Sequence, residues 1–364
     1  MSLLDSEVSP YQDTTTSVLL DDVDEHSHLR TQYVNEEEFS YFQSLQSEVV
    51  KTKKGNITVA IQGNINRKGT PMVTLHDIGQ NHVKCFQSYF CSYQTKPLLK
   101  HFTIYHINFP GQEEGADDLP DNYDYPTMEE MSDVVREVVD YFGLKEIVGF
   151  GVGAGANVFA RLALKAPQLA ECLILVNGTC GAATWSEWGY EKMCSHYLKT
   201  KGMTAFVQDY LVYHYFGKVD ERINLDLVGL VRDQLHRIRS PKNLGLFIES
   251  YSKRDALKMN RPVGGQPNKT SIKCGVLVVT GDRSPSVDET VNLNSKLDPA
   301  NSSWIKISEA TSLVLEEQPT GVTNALVLFL QGRGYAMKVK PPSLPYVEST
   351  HENAKELQAP IAIC

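Results

Sequence analysis

The sequence predicts an α/β protein whose mostly parallel central sheet is covered by helices on both faces. Two observations lead to this prediction. Strand-like and helix-like segments alternate regularly from Thr127 to Asn177, and the strands among them are apolar throughout rather than on one face only. Continuous apolar strands are typical of parallel sheets, because crossover helices bury both of their sides.

The first elements are short and β-prone. Two runs on either side of the turn cluster at 53–56 predict a β-hairpin over 47–62. Apolar strands follow at 71–75 and 102–107, with a helix between them near 83–92. The sheet is therefore expected to begin with a hairpin.

The clearest helix begins after Thr127. Thr127 and Glu130 have the spacing of a capping box, and Gly143 stands where a helix end favours a left-handed residue. Apolar residues recur between them at helical spacing, so one face of the helix is expected to lie against the sheet. This apolar face consists of Met128, Met131, Val135, Val138, Val139 and Phe142.

A glycine-rich corner follows the central strand, 146–150, and precedes a helix over 153–165. A nucleophile elbow of the G-x-S-x-G type holds its serine on such a strand-to-helix turn. In this frame the sequence GFGVG at 149–153 places Gly151 at the centre, so no side chain stands at the position of the attacking atom. We interpret Gly151 as structural, because glycine permits a tight corner. Glycine clusters between a strand and a helix also occur for packing alone.

The alternation of strands and helices stops between Cys180 and about residue 267, where aromatic and Met-rich segments predict an inserted helical cap. The sheet resumes with a strand at 276–280. The predicted organisation is an acidic disordered leader (1–40), a first core part (41–179), the cap (180–267), a second core part (268–333) and a flexible tail (334–364).

The hairpin, the alternating layers, the corner and the cap together resemble the α/β-hydrolase fold over about residues 45–333. Within this span four phrases are similar to the N-myc downstream-regulated (NDRG) family. They are HDIGQNH at 76–82, PGQEEGA at 110–116, GVGAG at 151–155 and NSKLDP at 294–299. The resemblance implies a hydrolase fold without hydrolase activity, acting in cytoplasmic signalling, stress response, growth and differentiation, or membrane trafficking.

The other two positions of a catalytic triad also carry residues without acid or base chemistry. Ser-His-Asp catalysis needs a base within reach of the nucleophile and an acid that orients this base. The acid position is predicted at Ser284, and the base position, counted back from an E-x-P motif, at Ser312 or a neighbour. No histidine occurs between His236 and His351. We therefore predict a pseudo-hydrolase without catalytic residues, cofactors or metal ions.

His76 and Asp77 follow the strand at 71–75, in the loop where an active hydrolase often has a His-Gly pair leading into the oxyanion hole. A carboxylate there would repel a developing oxyanion unless it pointed away. The pair is interpreted either as a binding or acid-base pair, or as a buried histidine that holds the loop through hydrogen bonds. With Gly151 and Val152, these two residues are candidates for the lining of a remnant pocket.

Two enzymatic alternatives stay open. Gly149, Gly151 and Ala154 fit G-x-G-x-x-A, a dinucleotide-binding pattern. That pattern requires an acidic residue at the end of the next strand, where this chain has Asn177. A serine or cysteine of the cap that acts as an unrecognised nucleophile is the second alternative.

Composition and terminal sequence narrow the partners and the location. The net charge of −9 and a pI near 5.6 disfavour nucleic acid, which requires a concentrated basic surface. No apolar run is long enough to span a bilayer, and the N-terminus lacks a signal-peptide pattern. We predict a cytoplasmic protein, with peripheral membrane association as a further option, that binds protein partners, or alternatively a lipid or small ligand.

Overall fold

The computed structural model describes Phe42 and residues 45–63, 70–262 and 270–342. The predicted leader (1–40) lies outside the described residues, as do residues 343–364 of the predicted tail. Predictions about these two segments therefore stay predictions.

One mixed sheet of eight strands forms the centre of the described part of the chain. The strands are β1 (Gln46–Thr52), β2 (Gly55–Gln62), β3 (Thr70–Leu75), β4 (Phe102–Ile107), β5 (Ile147–Val152), β6 (Ala170–Val176), β7 (Gly275–Gly281) and β8 (Ser302–Ile307). Their spatial order is β1-β2-β4-β3-β5-β6-β7-β8. Only the pairs β1–β2 and β2–β4 are antiparallel, so the predicted hairpin and the predicted mostly parallel sheet are confirmed.

Helices connect the parallel strands. Those with described bounds are α1 (His82–Phe90), α2 (Lys96–Leu99), α3 (Met128–Tyr141), α4 (Ala154–Lys165), α5 (Trp185–Thr200), α6 (Ala205–Phe216), α7 (Leu225–His236), α8 (Pro241–Ser252), α9 (Val287–Ser295), α10 (Val314–Glu317) and α11 (Pro319–Gly332). We call α5 to α8 the cap helices, because they stand together between β6 and β7.

The sheet separates two apolar clusters. On β6, Leu173 and Leu175 belong to one cluster, while Cys172 and Ile174 belong to the other. The first cluster includes the apolar faces of α3 and α4 together with cap-helix residues, and the second includes residues of α1 and α11. Burial on both faces explains why the central strands are apolar at every position.

The predicted ends of α3 are confirmed. Thr127 Oγ1 accepts a hydrogen bond from Glu130 N at 3.2 Å, and Glu130 Oε2 accepts one from Thr127 N at 2.9 Å. Gly143 follows the C-terminal residues of the helix with φ of +64°. The capping box thus satisfies N–H groups that a helix start otherwise leaves without an acceptor.

The segment predicted as a flexible tail begins too early. Ala336 and Val339 are each 8% exposed, and Gln331 Nε2 of α11 donates a hydrogen bond to the Val339 carbonyl at 2.6 Å. The segment 335–339 therefore packs beside α11 through Ala336 and Val339, and the prediction of a flexible tail from 334 is wrong for this segment. The burial of these two apolar side chains is the physical reason.

Candidate functional site

Gly153 forms the corner between β5 and α4. Its φ of +52° and ψ of −111° are a backbone conformation that residues with a Cβ rarely adopt. The predicted corner residue, Gly151, lies inside β5 and pairs with Leu75 and Leu175 on the neighbouring strands. The prediction is therefore wrong by two residues, because the strand ladder continues to Val152.

The structural frame of the corner is Gly151-Val152-Gly153-Ala154-Gly155, with Gly153 at the nucleophile position. Its glycine neighbours allow close packing. A Cβ on Gly151 would lie 2.6 Å from Ala156 N, and a Cβ on Gly155 would lie 2.3 Å from the Leu75 carbonyl oxygen. Gly151 is thus structural, as the sequence predicts, but by permitting the contact between strand and helix.

The carboxylate of Asp77 fills the space beside Gly153. A Cβ on Gly153 would lie only 2.0 Å from Asp77 Oδ1. This oxygen accepts hydrogen bonds from Ile78 N at 2.8 Å and Ala154 N at 2.9 Å. The second oxygen, Oδ2, accepts one at 2.8 Å from His214 Nε2 on α6. Asp77 is only 3% exposed, so this carboxylate is satisfied by protein donors.

The two backbone donors have the positions of an oxyanion hole. In α/β-hydrolases this hole combines the N–H of the residue after the nucleophile with an N–H from the loop after β3. Ala154 directly follows Gly153, and Ile78 lies in the loop after β3. The Asp77 carboxylate therefore points into the hole rather than away from it.

Asp77 and His214 stabilise each other's charged forms. Burial alone would raise the pKa of Asp77, but the charge and hydrogen bond of His214 and the N–H groups of Ala154 and Ile78 lower it overall. Burial alone would lower the pKa of His214, but Asp77 raises it, with a smaller contribution from Glu191. Both shifts favour an ion pair between the loop after β3 and a cap helix.

His76 holds the loop and does not contact the carboxylate. Its Nδ1–H donates to the Asp77 carbonyl at 2.8 Å, and its Nε2 accepts from Phe109 N at 3.1 Å. The ring is fully buried, and burial lowers its pKa to about 4. A neutral imidazole in this fixed tautomer favours the loop-holding interpretation over an acid-base role.

Ser284 and Ser312 lie together at the carboxyl end of the sheet. Their hydroxyl oxygens are 2.8 Å apart. Asn177, at the end of β6, accepts from Ser284 Oγ at 3.3 Å and from Thr280 Oγ1 at 2.9 Å, and it donates to the Ser312 carbonyl at 2.7 Å. The predicted acid and base positions are therefore neighbours, but they form a neutral network.

A cavity of about 840 Å³ lies beside this network. Val152 and Ser312 line it, whereas His76, Asp77 and Gly151, the other residues predicted for a remnant pocket, are not among its lining residues. Much of the wall is apolar and comes from α1, α7, α10 and the residue before α10. It includes Val83, Leu227, Leu230, Val231, Leu313 and Leu315.

His214, Asn177 and Gly153 are not among the site residues predicted from the sequence. The triad pattern directs the search for a histidine to the region after β8, whereas His214 comes from the cap helix α6. Its position within an aromatic run, YLVYHYF, gives no signal that it reaches the sheet. Asn177 offers a weak signal as a polar residue directly after an apolar strand.

The described ranges contain no candidate for a membrane-spanning helix and none for a metal-binding group. Within them, no helix has the length and apolar character needed to cross a bilayer. The same residues contain no group of three or more His, Cys, Asp or Glu side chains arranged to hold a metal ion.

A model of the Ndr family matches residues 47–337. The chain belongs to the Ndr family. Protein NDRG3 of Xenopus tropicalis is 36% identical over 307 residues, which cover 84% of this chain and 76% of the relative. Protein NDRG4-B of Xenopus laevis is 36% identical over 286 residues, covering 79% and 76%. The family resemblance seen in the four sequence phrases is thus confirmed.

This Ndr-family chain has the α/β-hydrolase fold. It resembles a thermophilic esterase from Thermogutta terrifontis with a TM-score of 0.64 and 18% identity, over 79% of this chain and 99% of the esterase. An enol-lactonase from Burkholderia xenovorans gives a TM-score of 0.62 and 16% identity, over 78% of this chain and 100% of the lactonase. The likeness confirms the predicted fold and, at these identities, shows nothing about activity.

Proposed function

We propose that this Ndr-family protein is a catalytically inactive α/β-hydrolase-like protein that acts by binding partners, as an adaptor in signalling, stress response, growth and differentiation or membrane trafficking. One observation is the main support for the proposed lack of catalytic activity. The Asp77 carboxylate bonds to both N–H groups of the oxyanion-hole positions, beside a corner residue without a side chain.

Acyl transfer at this corner lacks both of its first requirements. Gly153 presents no nucleophile, and a serine there would place its Cβ 2.0 Å from Asp77 Oδ1. In an active hydrolase each N–H group of the oxyanion hole raises the catalytic rate by roughly 10²–10³-fold. Here both N–H groups are bonded to the negatively charged Asp77 carboxylate. A developing oxyanion would be repelled instead of stabilised.

The acid–base positions support the same conclusion. A serine nucleophile depends on a base, and general-base catalysis typically contributes about 10²–10⁴ in rate. Ser284 and Ser312 bond to each other and to Asn177, and none of the three can accept a proton near neutral pH. Restoring a serine at the corner would therefore leave it without activation from this side.

The alternative of an unrecognised nucleophile has little support among the described residues. Cys180 and Cys194 of the cap segment are fully buried, and burial raises the pKa of both thiols, that of Cys194 to about 12. A protonated thiol is a poor nucleophile. A hydroxyl–imidazole contact of 2.8 Å joins Thr74 and His106, but both residues are fully buried within the sheet.

The dinucleotide alternative conflicts with the geometry of α4. A phosphate would need the free N–H groups at the helix N-terminus. Ala154 N already donates to Asp77, and Gly149 and Gly151 lie inside β5 rather than in a loop.

Two surfaces support a binding role. The cavity beside Ser312, at about 840 Å³, falls within the range of roughly 300–1,000 Å³ typical of ligand sites. On α5, Trp185 is 89% exposed and Trp188 36% exposed, with ring centroids 6.1 Å apart. Exposed aromatic side chains are enriched where proteins bind other proteins.

The loss of activity is tested with a fluorophosphonate probe and an activated ester on the full chain. We expect no labelling and no turnover above buffer, with a known serine esterase as positive control. Labelling of the wild-type chain that disappears on mutation of a cavity residue would reject the pseudo-hydrolase proposal.

The binding role is tested by comparing captured partners of the wild-type chain with those of Leu230→Glu, which puts a charge on the cavity wall. Leu328→Glu on α11 is the matched control, since Leu328 is 60% exposed and Leu230 49%. We expect partners to be lost with Leu230→Glu only. An identical partner set for all three proteins would remove the cavity as the binding surface.

A further inference from the structure

We propose that the exposed side of the cap helix α5 is a membrane-contact surface that binds the headgroup region of a lipid bilayer. We call this side, with Trp185, Trp188 and Lys192, the aromatic face. The proposal rests on the proposed binding role and names the partner of one of the two surfaces that support it.

Two tryptophans and a lysine lie together on the aromatic face. Trp185, Trp188 and Lys192 follow one another at intervals of three and four residues, which places them on one side of a helix. The two indole rings are 6.1 Å apart and meet edge to face, and Lys192 Nζ lies 4.6 Å from the centre of the Trp188 ring. Tyr190 and Met193 of the same helix are also exposed. The face thus presents large apolar groups with a cation beside them.

The opposite side of α5 attaches the helix to the protein. Glu191, Cys194, Ser195 and Leu198 are buried there, and a Cβ on Gly245 of α8 would lie 3.1 Å from Leu198 Cβ. The aromatic face is therefore not needed to pack α5 into the cap. Large apolar side chains that stay exposed together in this way are typical of surfaces that meet a protein or a membrane.

The acidic side chains of α5 are turned away from the aromatic face. Glu187 Oε1 accepts a hydrogen bond at 2.6 Å from the buried Arg254, and Glu191 is fully buried, whereas Lys192 is exposed. At physiological ionic strength charges are screened beyond about 8 Å. The positive charge of this face, rather than the net charge of −9, therefore acts on a surface in contact with it. A positive face fits anionic lipid headgroups.

The combination of tryptophan with lysine favours a lipid surface over a protein. Protein interfaces are enriched in aromatic residues but depleted in lysine. At a membrane surface, Trp and Tyr rings are enriched at the headgroup level, and the stem of a lysine covers apolar surface while its ammonium stays among the headgroups. Helices that lie on membranes combine these residue types. Lys192, with its ammonium over the Trp188 ring, has this arrangement.

The first test is co-sedimentation of the full chain with vesicles of phosphatidylcholine containing about 30% phosphatidylserine. We expect Trp185→Ser/Trp188→Ser to weaken binding about tenfold or more, because the rings that enter the headgroup region are lost. Trp304→Ser on β8 is the matched control, since Trp304 is 39% exposed and Trp188 36%, and it should bind like wild type. Equal binding by the two variants, or no binding by wild type, would overturn the proposal.

Tryptophan fluorescence reports which surface meets the lipid. The chain has three tryptophans, so Trp304→Phe keeps only the two of the aromatic face. With vesicles of brominated phosphatidylcholine and phosphatidylserine, we expect quenching of Trp304→Phe and none of Trp185→Phe/Trp188→Phe. Quenching of the second variant would place the contact elsewhere and contradict the proposal.

Reversal of one charge tests the role of the lysine. Lys192→Glu should weaken binding to the phosphatidylserine vesicles about fivefold or more, and Lys306→Glu on β8 should not. Equal losses would contradict the proposal. If wild type binds no vesicles and Trp185→Ser/Trp188→Ser loses captured proteins, the face binds a protein instead. Such a result would leave the proposed function in place, because the fluorophosphonate and Leu230→Glu tests use no lipid.

Discussion

The corner at Gly153 and the Ser284–Ser312 pair both stand where a hydrolase keeps catalytic groups, but they differ in what is left. The corner keeps its backbone geometry and its N–H donors, but both donors bond to the Asp77 carboxylate. The serine pair keeps its proximity, with hydroxyl oxygens 2.8 Å apart, but carries no charge.

The difference follows from where the chemistry lies. An acid or a base is a side chain, so a substitution can replace it by a serine that bonds locally. A backbone N–H is present in every residue except proline and needs an acceptor when it is buried. The two N–H groups at Ile78 and Ala154 therefore need an internal acceptor, which Asp77 Oδ1 supplies, and we expect stability to depend more on the corner than on the serine pair.

Gly153→Ala should have the largest effect. The new Cβ meets the Asp77 carboxylate and the backbone keeps a strained φ, so we expect a loss of about 3–5 kcal/mol in the free energy of unfolding. Urea denaturation measures it. The control is Gly189→Ala in α5, which meets no atom within 4 Å and should stabilise by up to about 1 kcal/mol. Equal effects at the two glycines would contradict the strained corner.

Asp77→Asn should have the second-largest effect and lower the free energy of unfolding by about 2–3 kcal/mol, because hydrogen bonds to a charged group are replaced by weaker ones. The control is Asp124→Asn. Asp124 is 88% exposed in its ion pair with Lys54, so less than about 1 kcal/mol is expected. If the two substitutions cost the same in urea denaturation, the corner would not need the charge of Asp77.

The pH dependence of stability separates the ion pair from the serine pair. The pKa of Asp77 is lowered, so its contribution is complete above about pH 3.9, the unfolded value, and is lost as pH falls through the folded pKa. The pKa of His214 is raised, so its contribution is complete below about pH 6.5 and is lost as pH rises through the folded pKa.

The free energy of unfolding of the wild type should therefore exceed that of Asp77→Asn/His214→Gln by the largest amount between about pH 4 and 6.5. Urea denaturation of both proteins from pH 3 to pH 9 measures the difference. Ser312→Ala compared with wild type should show no such window. A pH-independent difference for the double variant would show that the pair is not ionic.

Ser312→Ala should have the smallest effect, about 1 kcal/mol, since it removes one neutral hydroxyl that bonds to Ser284. Ser295→Ala is the exposed control, and thermal or urea denaturation compares the two. If Ser312→Ala lowered the free energy of unfolding more than Asp77→Asn does, stability would depend more on the serine pair than on the corner, contrary to the comparison of the two regions.

Patterns in the sequence were sufficient for the layers of the fold but not for the corner. Apolar strands and the capping box depend on local spacing, which the sequence displays. The run GFGVGAG at 149–155 fits the elbow frame in two registers, and only the strand ladder decides between Gly151 and Gly153. The contact of His214 with Asp77 depends on how the cap helices lie on the sheet, which no local pattern encodes.

The central claim is that the Asp77 carboxylate occupies the space beside Gly153. The unfolding free energies of wild type, Gly153→Ala, Asp77→Gly and the double variant test it most directly. We predict that the penalty of Gly153→Ala falls by about 2 kcal/mol or more in the Asp77→Gly background, leaving only the backbone strain. A penalty that is unchanged within about 0.5 kcal/mol would contradict the claim.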